Sequence, residues 1–187
     1  MIRTRLWAIV LPLVAAACSS GGPSADVEIF QAIVESEACD VGQYGKYNVV
    51  SDRPALLRRS GNEDDWAKWL PDLQVRNASL ARAEQRHKWP LLTPCGAAVR
   101  VVDASFVEGI FEREMTRPRS WQGFYAAFPT AMGLFKISAP VLDADGDAAL
   151  VYLERTCDVL CGTGWFVELR KEKGRWRVVR REGAWIS

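Results

Sequence analysis

The fold is decided by residues 133–187, GLFKISAPVLDADGDAALVYLERTCDVLCGTGWFVELRKEKGRWRVVRREGAWIS. Four runs of strand length in this stretch alternate apolar and polar side chains, and turn signals separate them. Leu134 to Leu142 is the first strand and Asp143-Ala-Asp-Gly-Asp147 its turn. Ala148 to Thr156 is the second, with Leu150 and Tyr152 on one face and Val151 and Leu153 on the other. Gly164 to Arg170 and Arg175 to Arg181 follow, joined at Lys173-Gly174, and Ala184-Trp185-Ile186 closes the run. Strands this close in sequence fold back on their neighbours, so an antiparallel meander is expected.

Upstream the period changes from two to that of a helix. Trp121, Phe124, Tyr125 and Phe128 follow Ser120 at one-face helical spacing, and Pro129 ends the run. This aromatic stripe reads as core rather than as a ligand cage. Ala97 to Val107 reads as a strand, and Tyr44 to Leu57 as a short strand interrupted by Pro54. Asp26 opens a helix to about Ala38 with Val27, Phe30, Ile33 and Val34 on one face. Between them, Trp66, Trp69 and Leu70 form one apolar turn before Pro71, and Ala78 to His87 reads as a solvated helix. The expected class is α+β, with N-terminal helices packed on a C-terminal antiparallel β-meander in one domain over residues 26–187. A chain of 187 residues, 49% hydrophobic and with a formal net charge of +1, is long enough for one core and is not disordered. Such neutrality also speaks against a nucleic-acid partner.

The N-terminus carries an address. Arg3 and Arg5 precede an apolar run, Leu6 to Ala17, which spans about 18 Å as a helix. A bilayer core needs about 30 Å. The run therefore reads as a signal peptide over residues 1–17. Val14-Ala-Ala-Ala-Cys18 resembles the lipobox of bacterial lipoproteins, and Ser19-Ser-Gly-Gly-Pro-Ser24 suits the flexible tether of such an anchor, counted here as residues 18–25. The resemblance implies a diacylated Cys18, a membrane partner through that lipid and, with Ser19 after the cysteine, the periplasmic face of the outer membrane. Secretion into the periplasm, with Ala15-x-Ala17 as the cleavage site, is the alternative.

The cysteine count agrees with export. Setting Cys18 aside leaves Cys39, Cys95, Cys157 and Cys161, an even set that an oxidising compartment would pair in one of three ways. Cys39–Cys95 with Cys157–Cys161 is the favoured pairing. A zinc site lacks ligands, because the single histidine, His87, lies far from any cysteine in sequence. No metal and no cofactor are expected.

Three further motifs need weighing. Asp143, Asp145, Asp147 and Glu154 imitate a calcium loop, but its sixth position is Ala148 rather than glycine and its flanks read as strands. Cys161-Gly-Thr-Gly164 brings backbone close to something, and Cys161 as a nucleophile has no base beside it in sequence. A disulfide-pinned turn explains the same residues. Seven basic side chains crowd the last hairpin (Arg170, Lys171, Lys173, Arg175, Arg177, Arg180 and Arg181) against Glu168, Glu172 and Glu182. Solvated edge protection is the favoured reading of that run, with lipid headgroups, lipopolysaccharide phosphates or an acidic partner as the competing ones.

The run from Gly133 through Leu160-Cys-Gly-Thr-Gly-Trp165, Gly174-Arg-Trp176 and Trp185-Ile-Ser187 is similar to a group of uncharacterised secreted bacterial proteins. These share a strand, an LCGxG turn, a G-x-W hairpin and a tryptophan-terminated end. The resemblance supports an exported sheet and carries no activity. The function expected is that of a non-enzymatic envelope module that binds or scaffolds something at the membrane, an envelope protein or lipid headgroups, with Tyr152, Glu154 and Trp165 as the candidate binding surface. The alternatives are a hydrolase using carboxylates such as Glu154 or Asp158, and an inhibitor of a host enzyme.

Overall fold

Apolar side chains at helical spacing after Ser24 form α1 (Ala25–Glu37), which buries Ile29, Phe30, Ile33 and Val34. The computed structural model describes residues 24–40, 46–55, 88–90, 95–114 and 120–187. The leader, Cys18, the tether up to residue 23, the tryptophan turn at 66–70 and the helix expected at 78–87 lie outside the described residues. None of the described helices is long and apolar enough to cross a membrane.

The remaining elements, in order, are β1 (Tyr47–Ser51), a 3-10 turn at Gly96–Ala98, β2 (Val99–Val102), α2 (Ala104–Glu114), α3 (Ser120–Ala127), β3 (Ala131–Ile137), β4 (Val141–Leu142), β5 (Ala148–Asp158), β6 (Cys161–Glu172) and β7 (Arg175–Ile186). The class is α+β, with helices mostly N-terminal and strands mostly C-terminal. One sheet holds all seven strands in the order β2-β1-β3-β5-β6-β7, and β4 pairs alongside β5. From β3 onward the pairing is antiparallel, as the alternation predicts. The other half is parallel: β1 runs beside both β2 and β3.

Two segments depart from the sequence expectation for local reasons. The strand expected from Ala97 to Val107 stops at Val102, because Asp103 turns the chain into α2. Its carboxylate accepts the amides of Ser105 (2.8 Å) and Phe106 (3.3 Å), groups that a helix N-terminus leaves without intrahelical partners. The strand expected from Leu134 to Leu142 divides at Ser138-Ala139-Pro140 into β3 and β4. Pro140 has no amide to donate, while the Ser138 hydroxyl accepts the Tyr152 amide at 2.9 Å and donates to Ala139 O at 3.0 Å. The Asp143–Asp147 segment is a turn, with Asp143 Oδ1 accepting the amides of Asp147 and Ala148.

The sheet is packed on both faces. Against α1 lie Val50, Val99, Phe135, Ile137, Val151, Leu153, Val167, Leu169 and Trp176. The opposite face of β1 and β3 carries α2 and α3, where Phe124 and Phe128 are buried with Val49, Val107 and Leu134. The aromatic stripe is therefore core. A smaller cluster, Ala55, Val141, Leu150, Tyr152 and Phe166, fills that same opposite face farther along β5 and β6.

α1 runs antiparallel to β1. Its last residues meet the start of β1, where Asn48 Nδ2 donates to Ala38 O at 2.8 Å. Phe30, in its first half, stacks on Trp89 with ring centroids 4.7 Å apart. Trp89 in turn donates from Nε1 to Ile137 O (3.2 Å) and from its amide to Asp52 O (2.6 Å), at the finishing ends of β3 and β1. The two ends of the sheet thus differ in content. At one, β1 to β3 finish, β6 turns into β7 and α1 begins; at the other, α1 ends and the β5–β6 hairpin turns.

Candidate functional site

Both cysteine pairs lie at that second end. Cys39 is bonded to Cys95, with Cα atoms 5.7 Å apart, and Cys157 to Cys161, at 5.1 Å. Both separations are normal for a disulfide, and both pairs are the ones the sequence favoured. Cys39–Cys95 ties the end of α1 to the turn that enters β2. Cys157–Cys161 closes the β5–β6 hairpin, whose last ladder pair is Asp158 opposite Cys161. Only Val159 and Leu160 remain beyond it, 71% and 83% exposed. Large apolar side chains at such exposure on a covalently closed tip offer a contact surface with little conformational freedom left to lose. The base of the loop is held as well, because the Tyr125 hydroxyl of α3 donates to Cys157 O at 2.6 Å. Burial, followed by the nearby Asp158 charge, raises the pKa of that hydroxyl above the usual tyrosine value.

Next to the loop, the glycine turn proves to be the floor of a sealed corner. A Cβ on Gly162 would meet the Trp185 ring at 2.8 Å, and one on Gly164 would overlap the indole nitrogen. The two glycines are therefore there to let an aromatic ring lie on backbone. A bulge in β7 makes this possible: Gly164 faces Trp185 while Trp165 faces Gly183, leaving Ala184 as the extra residue. Trp185 then covers Tyr152, which is 1% exposed. Its Nε1 donates to the Tyr152 hydroxyl at 2.7 Å, and that hydroxyl reaches Glu154 Oε2 at 3.4 Å. Burial, the largest cause, pushes the Tyr152 hydroxyl up to about 12, and the Glu154 charge adds to the effect. Glu154 is also paired with Lys136 at 3.4 Å.

The expected binding surface is thus divided. Tyr152 and Glu154 share one face beneath Trp185, whereas Trp165, opposite Leu153 in the ladder, packs against the α1 core on the other. Asp158, the second carboxylate considered for hydrolysis, sits on the disulfide loop, in the last ladder pair beyond that of Thr156. Among the described residues no group of three or more His, Cys, Asp or Glu is placed to hold a metal ion.

A third cluster escaped the sequence reading. At the finishing ends of β1 and β2, Lys88 Nζ stands 2.7 Å from Asp103 Oδ2 and 3.3 Å from the buried Asp52 Oδ2. Asp52 Oδ1 accepts the Ala104 amide at 2.8 Å. The hydrogen bonds from Lys88 and then from Ser105 hold the Asp103 carboxyl well below the usual carboxylate range, and the two aspartates raise Lys88. Each carboxylate is engaged in starting α2, so the cluster serves as a helix cap with a counterion. Its signal in sequence was Asp103-Ala-Ser105, a capping pattern embedded in an apolar run.

Comparison with known protein families, with curated proteins and with solved structures finds no match to the chain.

Proposed function

We infer that the protein is a lipid-anchored module of the bacterial cell envelope that binds a protein partner through the tip of its β5–β6 hairpin. The observation that carries this reading is the exposed Val159-Leu160 pair on a loop closed by Cys157–Cys161. The lipobox-like Val14–Cys18 and the Ser/Gly/Pro tether support the anchor. The neighbouring Tyr152–Glu154 corner, packed under Trp185, suits a rigid support for the loop better than a reaction site. Because the tip is convex and preorganised, it fits a partner with an apolar pocket. A partner that is itself an enzyme, inhibited by insertion of Leu160 into its cleft, is the second reading that this shape favours.

Two measurements test the proposal. The intact mass of the mature protein should show a diacylated Cys18 at its N-terminus, and an unmodified thiol there overturns the anchor. Immobilised full chain should retain an envelope protein that the Leu160→Asp chain releases, with both chains melting at the same temperature. Equal retention by the two removes the loop from the interface.

A further inference from the structure

The face of β6 and β7 that is turned away from α1 presents Glu168, Arg170 and Glu172 from β6 and Arg175, Arg177, Arg180 and Glu182 from β7. The four arginines are exposed. Each glutamate is engaged by one of them: Glu168 by Arg170 at 3.0 Å, Glu172 by Arg177 at 3.8 Å and Glu182 by Arg180 at 2.9 Å. Arg175 and the turn residue Lys173 form no ion pair among the described residues. Arg170 stands directly opposite Arg177 in the ladder, an arrangement that costs stability because like charges face each other at cross-strand distance.

Edge protection does not account for this pattern. It explains charge on β7, which ends the sheet, but Arg170 belongs to β6, an interior strand. The outer edge of β7 is already made irregular by bulges at Val179 and Ala184. Arg170 and Arg177 instead face each other across the ladder on an exposed face, within reach of one anion with several oxygens, which arginine binds through paired donors. The position is equally specific. The Lys173-Gly174 tip lies at the end of the sheet where α1 begins, so the chain upstream of Ser24, with its apolar run Leu6–Ala17 and Cys18, joins the domain at that same end.

We propose that the β6–β7 arginine face docks the domain on a bilayer surface bearing anionic phospholipid headgroups, with Arg170 and Arg177 sharing their phosphates. In the docked domain the Cys157–Cys161 loop lies at the end of the sheet farther from the tether. This orientation rests on the anchored-module reading, whereas headgroup binding itself does not. Each arginine near an anionic surface strengthens partition by about fivefold, and salt screens the effect.

The test uses the full chain carrying Cys18→Ala, so that no acyl chain contributes, in sedimentation with vesicles of phosphatidylcholine alone or with phosphatidylglycerol added. The leader, with Arg3 and Arg5, is common to every variant, so differences between chains report the ribbon. Arg177→Gln should lower the preference for anionic vesicles about fivefold, and Arg170→Gln/Arg177→Gln about 25-fold. Their melting temperatures should be unchanged or raised, since the like-charge pair is relieved. Unchanged partition in both variants overturns the proposal and leaves the Cys18 anchor standing. Displacement by inorganic phosphate beyond that by chloride of equal ionic strength overturns it too, because it would mark a site for the free anion. An unacylated Cys18 in the cell, with the variant series behaving as stated, overturns the anchor alone.

Discussion

The β5–β6–β7 ribbon is built differently at its two ends. At one, a disulfide closes the hairpin, Trp185 seals the corner beside it and two apolar side chains stand in solvent. At the other, a two-residue turn with positive φ at Lys173 (51°) and Gly174 (79°) carries arginines and no covalent link. On the proposed reading, the first end offers a contact of fixed geometry and the second a contact made by charge. The end near the disulfides is stiffened by bonds and packing, while the arginine face is held by exposed ion pairs alone.

Three substitutions probe the difference between the two ends. The largest effect is expected from Cys39→Ala/Cys95→Ala, since that bond closes a loop of 56 residues in sequence separation. Chain-entropy arguments give about 4 kcal/mol for such a loop against about 2 kcal/mol for one the length of Cys157–Cys161. Denaturant unfolding of the two double variants should therefore differ by about 2 kcal/mol, and equal losses would mean that the short bond carries native-state packing as well.

The sealed corner should reveal itself at alkaline pH. Tyr152 must ionise beneath Trp185 at about 12 in the folded chain and at about 10 once unfolded. Its contribution is thus complete below pH 10 and is lost as pH rises toward 12. Relative to Tyr152→Phe, the native chain should lose about 2–3 kcal/mol over that window in urea melts. Parallel pH profiles for the two chains would show that the corner opens to water. The smallest effect is expected at the arginine tip: Lys173→Asn replaces a lysine held at positive φ by a residue that tolerates it. The variant should gain about 0.5 kcal/mol in the same assay.

What the sequence made legible follows from the range of the interactions. The meander from Gly133 rests on neighbours in sequence, and its period of two is visible in Leu150 to Leu153. The cysteine pairing followed from an even count and one short spacing. The parallel half was hidden because β1 and β2 are only five and four residues long and pair with partners far away in sequence. Asp103 capping α2 overrode the apolar run around it, so a helix stood where a strand was expected. At the site, Tyr152 and Glu154 were brought together as the alternation implies, and the same alternation places Trp165 on the other face. The role of Trp185 was not legible, because a bulge lets Ala184 and Trp185 break the alternation, and bulges leave no periodic signal. Lys88 reaching Asp52 and Asp103 is a contact of tertiary origin alone.

Val159 and Leu160 are, on the proposed reading, the partner-facing part of the molecule, and site-specific photocrosslinking in intact envelopes probes them in place. A photoreactive residue placed at Leu160 of the full chain should give one discrete protein adduct, and the adduct should weaken when Cys157 and Cys161 are both replaced by alanine. The same probe at Val179, an apolar position 43% exposed on β7, should give none. Adducts at Val179 with none at Leu160 would place the partner on β7 and remove the disulfide loop from the interface.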